Sequence, residues 1–155
     1  MEYKVREATI ADLRRISYIT KLAWKIPYNK LGFVNNFHEH ENLESLFLEK
    51  KIKILVAISD YKIVGSLRYE LLKKNKIYFS KLVVLKSFRN KGVATALINE
   101  LENIARKQKI KIISLDIMEE KLLLPFYKKF GFEIIKKIKY ERHHEIYMEK
   151  ILNKK

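Results

Sequence analysis

The residues with the clearest chemical potential lie between 89 and 95. Arg89, Asn90 and Lys91 run into Gly92, and a helical pattern opens at once with Val93, Ala94 and Thr95. The first turn of a helix leaves N–H groups unpaired and carries about half a positive charge, so it suits an anion. A pyrophosphate needs several such donors together and a close approach to the main chain. A side chain at 92 would obstruct that approach, and glycine leaves it open. A basic turn with a solvated face accounts for the same stretch, and neither G-x-x-x-x-G-K-[ST] nor G-x-G-x-x-G is present. A second chemical group is the phenol of Tyr127 in PFYKKFGF (125–132). With an ordinary pKa of about 10 it is protonated at neutral pH and can donate; a packing aromatic at a helix end is the other reading. His38 and His40 in HEHE alternate like metal ligands, but no third or fourth ligand accompanies them, so no metal site is predicted. His143 and His144 are adjacent, which on a strand puts one on each face.

The elements that must position these groups follow from periodicity. YKVREA (3–8) alternates as a short strand. Thr9 and Asp12 form a capping-box variant opening a helix over residues 10–24, with Ile10, Leu13, Ile16, Ile19, Ala23 and Trp24 at helical spacing and Pro27 as its stop. Residues 26–41 read as a loop rich in groups that can touch a ligand, and 41–51 as a helix with Leu43, Leu46 and Phe47 inward. Strand-like runs at 52–59 and 62–71 flank an Asp60-Tyr61 hairpin turn, and 76–85 follows. Its continuous Leu82-Val83-Val84-Leu85 predicts a strand buried on both faces. The helix after Gly92 has Val93, Leu97, Leu101 and Ile104 on one stripe, with Glu100, Glu102 and Lys107 elsewhere. A strand at 110–117 leads to a helix at 119–130, with Pro125 inside or near its start and Gly131 as its stop. Residues 132–141 and 143–152 close the chain as an antiparallel pair. This order implies a mixed α/β sheet, with no linker or internal repeat.

Composition bounds the function. A chain of 155 residues with 48% hydrophobic content is ample for one packed domain. The absence of cysteine excludes disulfides and thiolate metal sites. Glu2, Lys4, Arg6 and Glu7 interrupt any leading apolar run, and no stretch approaches the ~18 apolar residues of a membrane span, so a cytoplasmic protein without a membrane partner is expected. The net charge of +15 admits an acidic partner, but 26 Lys stand against 7 Arg and the lysines are scattered. Arginine is the residue suited to bidentate phosphate and base contacts. Solvated surface lysine is therefore preferred over a nucleic-acid surface.

Two motifs in order give the chain a resemblance. R-N-K-G-V-A (89–94) follows an apolar strand and opens a helix, and P-F-Y-K-K-F-G-F (125–132) comes about 30 residues later. Together they resemble the GNAT superfamily of acetyl-CoA-dependent N-acetyltransferases. The family's pyrophosphate loop, [Q/R]-x-x-G-x-[G/A], is matched by Arg89, Gly92 and Ala94. Its helix ending F-Y-x-K-x-G-F is matched by Phe126, Tyr127, Lys129, Gly131 and Phe132. His143 to Lys150 is similar to a frequent last strand of the superfamily, with one extra residue, and the element order agrees over residues 3–151. The resemblance implies an α/β single-domain GNAT-like fold over 1–155, with a mixed central sheet of about seven strands, splayed central strands and about four flanking helices.

It also implies roles. Main chain at Leu82, Val83 and Val84 would pair with the pantetheine of acetyl-CoA. Arg89, Asn90, Lys91, Gly92, Val93, Ala94 and Thr95 would hold the pyrophosphate. A backbone N–H near Leu82 or Val83 would polarise the carbonyl, and Tyr127 would protonate the leaving sulfur. Two positions depart from the pattern. Ser80 stands where many members carry a glutamate base, and Glu120 where many carry an asparagine. Glu70, and His38, Glu39, His40 or Glu41 in the early loop, are the stand-ins for the base. Tyr28, His38, Glu70 and His144 are the candidate acceptor-side residues, for a small-molecule or peptide amine; a homodimer is compatible with the resemblance. Two other readings stay open: an acyl-CoA-binding module of weak or lost activity, suggested by Ser80, and a basic nucleic-acid-binding protein, which no helix-turn-helix or RNA-binding aromatic motif supports.

Overall fold

The computed structural model describes residues 3–30, 39–72, 75–119 and 122–152, leaving aside the side chains of 24–30 and 39–42. The described residues form β1 (Lys4–Glu7), α1 (Leu13–Lys30), α2 (Glu39–Leu48), β2 (Lys53–Ser59), β3 (Lys62–Leu72), β4 (Lys76–Val84), α3 (Val93–Lys107), β5 (Ile112–Met118), α4 (Leu124–Lys129), β6 (Glu133–Lys139) and β7 (His144–Ile151). The strands hydrogen-bond in the order β1-β2-β3-β4-β5-β7-β6. The sheet is mixed: β4 and β5 run parallel, joined through α3, while β5–β7 and β6–β7 are antiparallel. No described helix is long and apolar enough to cross a membrane.

The chain packs as two compact units, Met1–Glu70 with Lys81–Leu101, and Leu71–Ser80 with Glu102–Lys155. In the first, β1 and β2 pair antiparallel, as do β2 and β3. The Asp60-Tyr61 turn joins the latter pair with both residues at positive φ, 48° and 64°. That is the geometry of a two-residue hairpin, adopted here without glycine. One apolar cluster gathers Leu13, Ile16 and Ile19 of α1, Leu43 of α2, Ile54 and Val56 of β2, Ile63 of β3 and Val83 of β4. The start of α3 sits close to β3 because position 65 is glycine. A Cβ there would lie 2.7 Å from Val93 Cγ1 and 3.1 Å from the Val83 carbonyl oxygen.

Helix α1 runs to Lys30, through Pro27, which sequence reading takes as its stop. A proline inside a helix removes one N–H bond and crowds one carbonyl; it does not by itself oblige the helix to end. The predicted loop therefore shortens from its first end. At the other end of α1, Thr9 N–H donates to the Asp12 carboxylate at 2.8 Å, as the capping pattern requires. Arg6 Nη1 donates to the same carboxylate at 2.7 Å. These bonds, the Arg6 bond foremost, hold the Asp12 carboxyl below its ordinary value, with burial opposing them. Replacing Asp12→Ala is expected to lower the unfolding free energy by about 1–2 kcal/mol at pH 7, read by urea unfolding. Because the folded value is depressed, this contribution is full above the unfolded pKa of about 3.9 and disappears as pH falls through the folded one. The gap between wild type and variant should narrow below about pH 4.

In the second unit, β5 pairs with β7 over Ile112↔Ile151 to Met118↔Glu145, and β6 pairs with β7 around an irregularity between Ile134 and Lys136. Ile113, Leu115, Ile117, Ile146 and Met148 are buried with Ile77, Phe79 and Phe132. Glu102, assigned by periodicity away from the apolar stripe of α3, is only 6% exposed. Lys150 Nζ of β7 donates to both of its carboxylate oxygens at 3.1 Å, and Arg106 lies 3.4 Å away. A buried carboxylate needs such partners, and they come from 48 and 4 residues away. The helix predicted over 119–130 is shorter, Leu124–Lys129, with Pro125 in its first turn, where a missing N–H costs nothing.

Candidate functional site

Strand β4 is continuous over Lys76–Val84 but irregular within its length. Lys81 has φ 52°, a left-handed conformation for a residue with a Cβ, in the middle of a strand. Such a residue marks a bulge, which bends a strand and ends regular pairing. The parallel ladder with β5 covers only Lys76↔Ile112, Ile77↔Ile113 and Tyr78↔Ser114. From Phe79 onward β4 makes no further ladder pair with β5 among the described residues. Beyond the bulge Val83 is buried, while Leu82, Val84 and Leu85 are only half-buried. The expectation of a strand buried on both faces is corrected accordingly. Three of the four residues of this run stay partly accessible, beyond the point where pairing with β5 stops.

After β4 the chain turns through residues 86–92 into α3. Asn90 and Gly92 have φ 60° and 88°, with Lys91 between them not left-handed. Alternation of this kind turns successive N–H groups toward one side, the arrangement called a nest. The Gly92 carbonyl accepts the first bond of α3, from Ala96 N–H at 3.0 Å, so Gly92 is the N-cap. A serine or aspartate there would satisfy an orphan donor from within the chain; glycine cannot. Among the described residues, no backbone acceptor takes a bond from the N–H groups of Gly92, Val93, Ala94 or Thr95. No acidic residue lies in the first turn of α3, and a Cβ at 92 would meet no atom of the described residues within 4 Å. The helix start is open, donor-rich and uncapped.

The loop is braced from behind. Arg89 Nε donates to the Val84 carbonyl at 3.1 Å, Lys91 Nζ lies 5.8 Å from the centre of the Phe88 ring, and Tyr3 Oη donates to the Lys91 carbonyl at 3.0 Å. Arg89 thus ties the loop to the end of β4 with one nitrogen and keeps the rest of its fork exposed. Sequence reading missed both Lys81 and Tyr3. A bulge on a lysine carries no glycine to announce it, and the Tyr3 contact spans 88 residues.

The second unit carries Tyr127. Its helix ends in a Schellman motif: Phe132 N–H reaches the Tyr127 carbonyl at 3.3 Å, Gly131 N–H reaches Lys128 at 3.0 Å, and Gly131 has φ 93°. The accompanying apolar contact is Phe132 against the Tyr127 ring, edge-on at 6.1 Å. Phe79 and Phe126 complete the cage at 6.1 and 5.0 Å. The tyrosine is 5% exposed, and burial pushes its phenol above the ordinary value. Its hydroxyl makes no hydrogen bond to a described residue.

The remaining candidates are more dispersed. Ser80 is half-buried in β4, next to the bulge, and Glu70 is half-buried near the end of β3. His144 opens β7, half-buried and on the face that alternation shares with Ile146, Met148 and Lys150. Its neighbour His143 belongs to the β6–β7 turn, stacked on Tyr140 at 5.1 Å with Nε2 3.0 Å from Glu145. Tyr28 lies on the backbone of α1, but its side chain is outside the described residues, as are His38 and Glu120. Among the described residues no three His, Asp or Glu side chains gather as a metal site.

A family profile described as an acetyltransferase (GNAT) domain matches residues 25–152. No curated protein sequence matches the chain. Solved structures share its fold. A GNAT-family acetyltransferase from Staphylococcus aureus Mu50 superposes with a TM-score of 0.80 at 19% identity, covering 98% of this chain and 100% of that one. A ribosomal-protein-alanine N-acetyltransferase from Brucella melitensis gives 0.78 at 24%, covering 96% and 99%. The PaiA N-acetyltransferase from Thermoplasma acidophilum, solved with coenzyme A, gives 0.75 at 22%, covering 98% and 100%.

Proposed function

The chain belongs to the GNAT acetyltransferase family, and from that membership we propose that it moves an acetyl group from acetyl-CoA to a primary amine by direct attack, with Tyr127 as general acid. The observation that carries the reading is the uncapped start of α3. Four N–H groups lack a backbone acceptor among the described residues, a glycine stands where a side chain would intrude, and no carboxylate lies in the first turn. That donor set fits a pyrophosphate. Arg89 to Thr95 would hold it, and the main chain of Leu82, Val83 and Val84, past the bulge, would hold pantetheine in the manner of an added strand.

Bound acetyl-CoA supplies an activated thioester; the chain supplies orientation, charge stabilisation and a proton. A backbone N–H at Leu82 or Val83 polarises the carbonyl oxygen. The Tyr127 hydroxyl gives its proton to the departing sulfur. Ser80 cannot act as a base at neutral pH, so the amine must reach the site neutral or lose its proton through water to a group such as Glu70. The acceptor is a small-molecule or peptide amine, and the scattered lysines steer a polyanionic donor toward the site.

Calorimetry with coenzyme A and thiol release with a panel of amines test this together. Saturable binding with amine-dependent thiol release is expected. Binding without release would favour a non-catalytic acyl-CoA-binding module, and no binding would remove the cradle reading altogether.

A further inference from the structure

We propose that Tyr3 is a positioning residue for coenzyme A, acting through the carbonyl of Lys91 on the direction of the Gly92 N–H. This rests on the reading of residues 89–95 as the pyrophosphate cradle. The Lys91 carbonyl and the Gly92 N–H belong to one trans peptide unit and point in opposite directions. The hydrogen bond from Tyr3 Oη, 3.0 Å, fixes the carbonyl on one side and so aims the N–H to the other.

The loop needs such a grip. Gly92 is chosen for openness, and glycine populates both signs of φ, so the 91–92 peptide unit is the easiest in the loop to flip. A flipped unit would turn an oxygen, in place of an N–H, toward a bound anion. The Arg89 bond to Val84 restrains the loop two residues earlier and does not touch this unit. Tyr3 does, and its own position is fixed. It immediately precedes β1, whose register is set by Lys4↔Ile58 and Val5↔Ala57 and whose Arg6 is tied to Asp12 at 2.7 Å. A tyrosine 88 residues away thus makes the first strand part of the cofactor site.

The test is Tyr3→Phe, which removes only the hydroxyl, assayed with acetyl-CoA and with S-acetylpantetheine, a donor without the pyrophosphate. In the variant kcat/KM for acetyl-CoA should fall about fivefold through KM, with kcat unchanged and the melting temperature lowered by no more than the loss of one exposed neutral hydrogen bond. With S-acetylpantetheine wild type and variant should be equal. Equal losses on both donors, or no loss on either, would overturn the proposal. Wild-type protein that treats the two donors alike would instead sink the cradle reading, and the Tyr3 role would fall with it.

Discussion

Tyr127→Phe is expected to reduce kcat by about 10²–10⁴-fold while leaving the affinity for coenzyme A within about twofold of wild type. The asymmetry follows from what the substitution removes. The ring keeps its place among Phe79, Phe126 and Phe132, and the Schellman bonds to the Tyr127 carbonyl are main chain, so the helix end is preserved. Only the hydroxyl goes, and it makes no hydrogen bond to a described residue. Removing a buried hydroxyl with no hydrogen-bond partner among the described residues leaves stability unchanged or slightly raised. A packing role therefore predicts a variant as active as wild type and at least as stable. A donor role predicts one as stable and nearly inactive. Thermal melts with single-turnover thiol release separate the two, and an unchanged rate would end the assignment.

The pH dependence sharpens this. Burial raises the Tyr127 pKa, so the proton remains in place through neutral pH and beyond about pH 10, the value of a free phenol. A donor is lost as pH rises through its pKa, hence no descending limb of kcat below about pH 10 should belong to this group. The same burial makes the phenol a weaker acid than in water. On the donor reading its contribution comes late, as charge gathers on the sulfur and the hydrogen bond to it strengthens toward proton transfer. An ascending limb should follow the acceptor amine's own pKa when acceptors are varied if the amine reaches the site neutral; a limb that stays fixed would point instead to a group such as Glu70 as the base.

What could be read in advance divides by sequence distance. The FYKKFGF ending is legible because every bond that makes it lies within six residues: Gly131 in its left-handed turn, Phe132 folded back on Tyr127, the carbonyls satisfied in place. The opening at Gly92 is legible for the same reason, since a glycine cap and an uncapped first turn are local properties. Burial of Glu102 is not, because it depends on Lys150, 48 residues away on another strand. The left-handed turn at Lys81 is invisible because lysine has no preference for positive φ and no glycine marks the position. Pro27 misleads in the opposite direction: a local signal of termination is overridden within α1. The acceptor side stays least legible, resting on Tyr28 and His38, whose side chains lie outside the described residues, and on Glu70 and His144, which no motif joins.

Gly92→Glu should weaken coenzyme A binding by at least about 100-fold, and do so in a protein no less stable than Gly92→Ala. The alanine variant isolates backbone strain. With φ at 88° any Cβ is disfavoured, by about 1–2 kcal/mol, yet that Cβ would meet no atom of the described residues within 4 Å, so the fold survives with a modest loss. Glutamate adds the same strain and a carboxylate tethered beside the unpaired N–H groups of Val93, Ala94 and Thr95. A negative charge at an uncapped helix start is stabilising, so the carboxylate recovers part of the strain by occupying the donors that a pyrophosphate needs. Stability and binding therefore move in opposite directions, which general damage to the fold cannot produce. Gly92→Gln, equal in size and uncharged, should lie between the two in binding and recover less stability than glutamate. Calorimetric titration of all three with coenzyme A, beside their thermal melts, decides the matter; wild-type affinity in Gly92→Glu would show that the anion is held elsewhere.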